Sequence, residues 1–390
     1  MRKLLPFVFR TLFIFTNLLP FLTGCSSGLS MATPPPTPQP IPQTILVPKL
    51  GIVANRNDST LSTYTIDPST GALTSIGTIP SGGSAPIALA VDPGGHFVYV
   101  ANLIAGGASV AGGGISAFSI ATDTGALTPV GPPIEAGEGP RTVVVHPSGK
   151  FLYGTSLLSD NIFAYVIDPV AGGLRAIGTP IATGRAPVSL AIDPAGKFAY
   201  VVNADDNTIS VYTIDPNTGA LTASGIPVPV DGFDPEFLMV HASGKFAYLA
   251  NEDSQAISVF AIDPISGGLT LLGNPVPTLG TFPTALAEDP AGKFLYVANE
   301  GTGDICAFAV NPATGALSAI QSRVPAGDGP VSLNVDPSGK YLFAANSEAD
   351  DVSVFAIDPN SGTLTSAGPP TTAGRTPSSV VTIGKLVPAP

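Results

Sequence analysis

Tryptophan is absent from the 390 residues, which removes the Trp-Asp signature of one widespread four-stranded repeat. Only two cysteines occur, Cys25 and Cys306, too few for a disulfide framework. No His/Cys spacing suits a metal, and His96, His146 and His241 are the only histidines. Basic residues are scarce as well. The chain after Cys25 holds all 28 acidic residues against 13 of the 16 basic ones, a formal charge of 13 − 28 = −15. Such a surface repels nucleic acid and anionic bilayers, so neither is expected to bind the folded part. No cofactor is expected.

Glycine and proline are plentiful, 44 and 41 residues, and they fall at repeating turn positions, which is not the pattern of disorder. The stretch from Pro187 to Thr222 shows the rule. Three apolar runs, Val188 to Ile192, Phe198 to Val202 and Ile209 to Ile214, are separated by turns, and a fourth begins at Leu221. Asp193-Pro194-Ala195-Gly196 suits a type I turn closed by a left-handed glycine, and Asp215-Pro216-Asn217-Thr218-Gly219 repeats that logic. The unit reads as a four-stranded antiparallel meander.

Its opening proline recurs as Pro86, Pro140, Pro187, Pro235, Pro283, Pro330 and Pro377, at steps of 54, 47, 48, 48, 47 and 47 residues. A four-stranded unit at such a period predicts an all-β propeller, because one blade cannot cover its own faces. Six units are complete. The chain before Pro86 supplies only a second, third and fourth strand, and the chain after Pro377 only a first, Ser378 to Ile383. The two fragments complete each other, giving seven blades with the first closed by the C-terminal strand.

The expected organisation is a signal peptide over 1–25, a proline-rich linker over 26–48, the propeller over 49–385 and a tail over 386–390. Arg2, Lys3 and Arg10 precede an apolar stretch too short to span a bilayer, ending in Leu22-Thr23-Gly24-Cys25. That ending resembles the bacterial lipobox, in which Cys25 would carry the lipid. The alternative is an ordinary signal peptide with a chance cysteine. A lipid-anchored monomer in the bacterial cell envelope is expected, with the linker as tether. Cys306, alone on a third strand, reads as a small buried hydrophobe. The unit from Pro86 carries an insertion within Leu103 to Gly114, either a lid or an unselected loop.

The second strands end in Tyr99-Val100-Ala101-Asn102, Tyr200-Val201-Val202-Asn203, Tyr248-Leu249-Ala250-Asn251 and Tyr296-Val297-Ala298-Asn299. With the preceding Asp-Pro-x-Gly-Lys-Phe, these resemble the YVTN repeat. More broadly the chain is similar to the seven-bladed lactonase family, related to 6-phosphogluconolactonase and carboxymuconate-type cycloisomerases. The resemblance implies an active site of Arg, Glu and His at the channel mouth. This sequence places no histidine there: His96, His146 and His241 lie in or beside the Asp-Pro turns of the opposite face, where local hydrogen bonding is expected.

The residues flanking the opening prolines ring the mouth. Glu138, Arg141, Arg185 and Glu236 are the candidate catalytic residues, with Asp234, Asp328 and Arg375 as further ligand-binding positions. Arginine with carboxylates suits a carboxylated or hydroxylated small molecule; the alternative is solvated rim pairs. Acidic loops at Asp205-Asp206, Glu252-Asp253 and Asp350-Asp351 lack a calcium-loop pattern. Glu288 interrupts an apolar inner strand, as a channel carboxylate or paired with a neighbour. The regular turns and missing mouth histidine favour a binding or scaffold module for a small molecule or protein. The alternative is a lactone hydrolase, for which a carboxylate among arginines, its pKa lowered, would be a poor base.

Overall fold

The computed structural model describes residues 44–105, 113–121 and 123–388, all strand, turn and loop. Lipobox, signal peptide and most of the linker lie outside them, as does the centre of the insertion. Seven antiparallel sheets form the ring. In blade 4 the strands are Pro187–Ile192 innermost, then Phe198–Asn203, Thr208–Ile214 and Leu221–Ala223 outermost. Blades 2 to 7 follow the chain in order. Blade 1 joins Thr44–Asn55, Thr60–Ile66 and Leu73–Pro80 to the C-terminal Pro377–Pro388 as its inner strand.

The closing pair is longer than the sequence suggests. Register runs from Asn55 opposite Pro377 out to Thr44 opposite Pro388, so residues 44–48 belong to the sheet, not to the linker, and residues 386–388 are strand, not tail. Pro48 is accommodated because the register shifts between Pro48 and Leu50, and a proline without an N–H is tolerated at such an irregularity.

A second departure concerns the outer strand. In blades 2 to 7 it is broken in two, as Leu221–Ala223 and Val228–Pro229 in blade 4, both pairing the third strand. Gly225 at φ 76° and Pro227 interrupt it. In blade 1 the equivalent Leu73–Pro80 runs unbroken past one bulge.

Hydrophobic clusters lie between adjacent blades. Blades 4 and 5 share Tyr200, Val202, Leu249 and Phe260, and blades 7 and 1 share Phe343, Val354, Val53 and Tyr64. The second strand is sandwiched on both sides and buried at every position, as in Phe246–Asn251. One contact recurs at each interface. The apolar residue of the second strand facing the next blade, aromatic in blades 2 to 7 and Leu50 in blade 1, packs on the left-handed glycine of that blade's outer turn: Phe97 on Gly172, Phe151 on Gly219 and so on to Tyr341 on Gly71 and Leu50 on Gly125. A Cβ on Gly172 would lie 2.2 Å from the Phe97 ring. In blades 2, 3, 5 and 6 the tyrosine two residues on donates to the same glycine's carbonyl, as Tyr153 to Gly219 at 2.8 Å and Tyr248 to Gly315 at 3.0 Å.

The recurring turn and strand-end residues have structural partners. Asp193 Oδ1 accepts the amides of Lys197 and Phe198, each at 2.6 Å. His146 and His241 replace that aspartate and do more than bond locally. Each ring accepts at Nδ1 from its own turn and donates from Nε2 to a carbonyl of the next blade, Gly196 and Gly292, at 2.8 Å. The terminal asparagine of the second strand is buried and donates to the third strand, Asn203 to Ser210 at 2.9 Å. Cys306 is buried and takes the serine's place in blade 6, receiving Asn299 Nδ2 at 3.2 Å.

Deleting residues 377–390 leaves Thr44–Asn55 as an unpaired sheet edge and opens one hydrophobic interface. Lost backbone pairing and apolar cover amount to several kcal/mol, on the order of 1 per hydrogen bond. Loss of the cooperative melt, or aggregation, is expected in a circular-dichroism thermal scan. A truncated chain melting like the intact one would refute this closure.

Candidate functional site

The inner strands line a central channel of about 660 Å³. Two kinds of position reach its mouth: the residue after the opening proline in every blade, and the residue after the second strand's asparagine in blades 1, 5, 6 and 7. One backbone device fixes both. The residue before every opening proline is left-handed, from Ala85 at φ 53° to Thr376 at φ 54°. That turns its carbonyl towards the mouth residue, so that Asp234 O accepts Glu252 N at 2.8 Å and Phe282 O accepts Glu300 N at 2.9 Å.

Of the residues singled out from sequence, Arg141 and Glu236 line the channel and bond each other across blades 3 and 5. The other arginines do not face it. Arg185 Nε donates to Asp206 Oδ1 at 2.7 Å and Arg375 Nε to Asp58 Oδ1 at 2.6 Å, both pairs out on the exposed rim. Each aspartate also accepts its arginine's own backbone N–H, which fixes the pair against the loop. Glu138, Asp234 and Asp328 are exposed rim residues. The Glu138 and Asp328 carbonyls secure the loop after the second strand, accepting Leu158 N and Glu348 N, each at 3.1 Å.

Three mouth residues escaped sequence reasoning: Arg56, Glu252 and Glu300 line the same channel. Each directly follows a second-strand asparagine, in Asn55-Arg56, Asn251-Glu252 and Asn299-Glu300, and that spacing was the available signal. Glu252 is half-buried, and its pKa is pushed up to about 7 by desolvation, then by Glu236, Asp234, Glu300 and Asp253. Glu300 is raised by desolvation and by Glu348 and Glu236, with Arg141 pulling the other way. The expectation of a lowered pKa concerned a carboxylate among arginines; Glu252 instead has acids as its charged neighbours and is raised. Arg141 is engaged by Glu236, and the acids beyond that pair raise one another.

The acidic loops are occupied by their own chain. Asp206 holds Arg185, Asp350 accepts Thr376 N at 2.7 Å and Asp351 accepts Asn346 Nδ2 at 2.6 Å. Among the described residues no group of three His, Cys, Asp or Glu is placed to hold a metal ion.

Comparisons with known proteins agree with this architecture. The sequence profile described as "Lactonase, 7-bladed beta-propeller" matches residues 49–144, 139–234 and 230–382. The chain belongs to the seven-bladed lactonase family. Similar solved structures of this shape include a Bacteroides uniformis protein provisionally named a 6-phosphogluconolactonase, 21% identical, TM-score 0.77, over 86% of this chain and 99% of that one. Another is the Pseudomonas aeruginosa periplasmic gluconolactonase, 23% identical, TM-score 0.74, over 87% and 99%. No curated protein matches the sequence.

Glu288 lies at the other end of an inner strand. Its Oε2 has no hydrogen-bond partner and sits 3.9 Å from His241 Nε2, which is already donating to Gly292. Burial pushes its carboxyl up to about 7, against a lowering by the Ala242 amide. A raised carboxyl favours the folded state when protonated, so this contribution is present below the unfolded value near 4.5 and is lost as pH rises through about 7. Glu288→Gln should stabilise the protein by roughly 2–3 kcal/mol at pH 8 and by almost nothing below pH ~4.5. Urea unfolding at the two pH values measures this, and an equal effect at both would contradict it.

Proposed function

We propose that this lactonase-family protein is an exported lactone hydrolase working at the Arg141/Glu252 mouth. The observation that carries the reading is the shared channel mouth: Glu252 lines it together with the Arg141–Glu236 pair, and burial and neighbouring acids raise its carboxyl to about 7. General-base catalysis is most effective near the working pH, a condition that histidine meets by nature and Glu252 meets by burial and like charge. Family membership supports hydrolysis over the plain binding module that the turns alone favour.

The chemistry follows from the residues present. Glu252 removes a proton from water as the oxygen attacks the lactone carbonyl carbon. Arg141, oriented by Glu236, donates to the oxyanion of the tetrahedral intermediate. Collapse breaks the ring C–O bond, and the proton held by Glu252 passes to the departing alkoxide, giving the open hydroxy acid. Glu300 keeps the Glu252 proton affinity high.

Assay of residues 44–390 against a panel of phosphorylated and unphosphorylated lactones tests this directly. kcat/KM should rise with pH through about 7 and level off above, because the base works ionised. Glu252→Gln should cost about 10²–10⁴-fold and Arg141→Ala about 10²–10³-fold. No saturable turnover of any lactone would sink the reading.

Export and anchoring are proposed on the basic start, the apolar stretch and Leu22-Thr23-Gly24-Cys25. A periplasmic location of one similar structure is consistent with export. Detergent-phase partitioning of wild type with transfer to the aqueous phase on Cys25→Ser is expected, since only the thiol takes the lipid. Aqueous partitioning of both would rule out the anchor.

A further inference from the structure

The mouth has a side that the hydrolytic chemistry leaves unused. In blade 6 the segment entering the inner strand Pro283–Glu288 holds two apolar side chains in the left-handed region, Leu279 at φ 65° and Phe282 at φ 54°. Both are exposed, Leu279 to 53% and Phe282 to 42%. Phe282 is joined to the mouth twice. Its carbonyl accepts Glu300 N at 2.9 Å, and its ring lies so close to Gly301 that an added Cβ would meet it at 2.3 Å.

Folding does not call for an aromatic there. The left-handed backbone is needed before every opening proline, and blades 3 and 7 meet the need with Gly139 and Gly329. A bulky side chain is the least favourable choice for that backbone, and an exposed ring recovers little through burial. An exposed aromatic ring fixed beside the mouth residue Glu300 is suited to stack on the apolar part of a ligand held at that mouth.

Charge narrows the ligand further. The Arg141 guanidinium is engaged by Glu236, while Glu252, Glu300 and the rim residue Asp234 raise or are raised by neighbouring acids. Glu236, Glu252 and Glu300 with the rim residue Asp234 outnumber the two arginines of the mouth, Arg141 and Arg56, so an anionic substrate enters an acidic field.

We infer that the mouth takes uncharged lactones bearing an apolar substituent, which rests on Phe282, and that it disfavours phosphorylated ones. The inference rests on the hydrolytic reading for the lactone ring, but recognition is a matter of binding and is measurable without turnover.

The experiment is calorimetric titration of residues 44–390 with non-hydrolysable δ-lactams: unsubstituted, phenyl-substituted, and a sugar lactam with and without phosphate. The phenyl lactam should bind about ten-fold more tightly than the unsubstituted one. The phosphorylated sugar lactam should bind about ten-fold more weakly than its unphosphorylated form at low salt, the gap narrowing as ionic strength rises. Phe282→Gly should abolish the phenyl preference and leave the unsubstituted lactam unchanged. Its melting temperature should hold or rise, because glycine suits that backbone, whereas a purely structural ring would lower it. Equal binding of the phenyl and unsubstituted lactams, or tighter binding of the phosphorylated form, overturns the inference whether or not lactones turn over. A phenyl preference lost in Phe282→Gly without hydrolysis of any lactone upholds the recognition and removes only the hydrolytic reading.

Discussion

The ring depends on one contact made at every interface, an apolar side chain of one blade pressed onto the bare Cα of a left-handed glycine in the next. Phe97 meets Gly172, Phe246 meets Gly315, Tyr341 meets Gly71, and Leu50 completes the circle on Gly125. Glycine is required there for two independent reasons. The turn needs positive φ, and a Cβ would overlap the neighbouring side chain, at 2.2 Å for Gly172. Because each contact points to the following blade, the circle closes only if the first blade accepts the seventh. That makes the split blade, with its long terminal strand pair, the joint on which the remaining interfaces rely.

A contact repeated at a fixed spacing leaves a periodic trace, and this is why the architecture was legible. The opening prolines, the Asp-Pro turns and the Tyr-x-x-Asn strand ends gave strand order, blade number and the split first blade. What stayed hidden was not periodic or not local. The pairing of Thr44 to Pro48 with the far terminus has no repeat to reveal it, and Pro48 looked like a boundary. His146 and His241 resembled turn residues because their local bonds are turn bonds. Their bonds to Gly196 and Gly292 depend on which blade lies alongside.

The site was legible only in part, for a different physical reason. Spacing fixes where a residue leaves the backbone, and for Arg141 and Glu236, whose stems start on the inner strand, that was enough. Arg185 and Arg375 start one residue outside the left-handed position, and each finds an aspartate two residues along the adjacent loop that binds its backbone amide as well as its guanidinium. A long side chain with a local double anchor stays on the rim. Glu252 looked like a loop acid and Glu300 drew no reading, because the hydrogen bonds that draw them inward, to the carbonyls of Asp234 and Phe282, involve a residue well back in the chain.

Only 11% of this chain is charged, so an assembly of acids at one opening dominates the local field. On the proposed hydrolytic reading, the same crowding that lifts Glu252 to about 7 bears on the whole cycle. An uncharged lactone approaches the acids without repulsion and replaces little hydration on entering. Hydrolysis then creates a carboxylate inside that field, and the product anion is repelled by Glu300 and by Glu252 as each ionises. Arg141 does not oppose its departure, because Glu236 already neutralises the guanidinium. In that reading the oxyanion of the intermediate would still be stabilised by the Arg141 N–H donors, while the product could rotate away from them. A mouth arranged in this way separates stabilisation of the transition state from retention of the product, which is the difference between an arginine that binds anions and one that catalyses their formation.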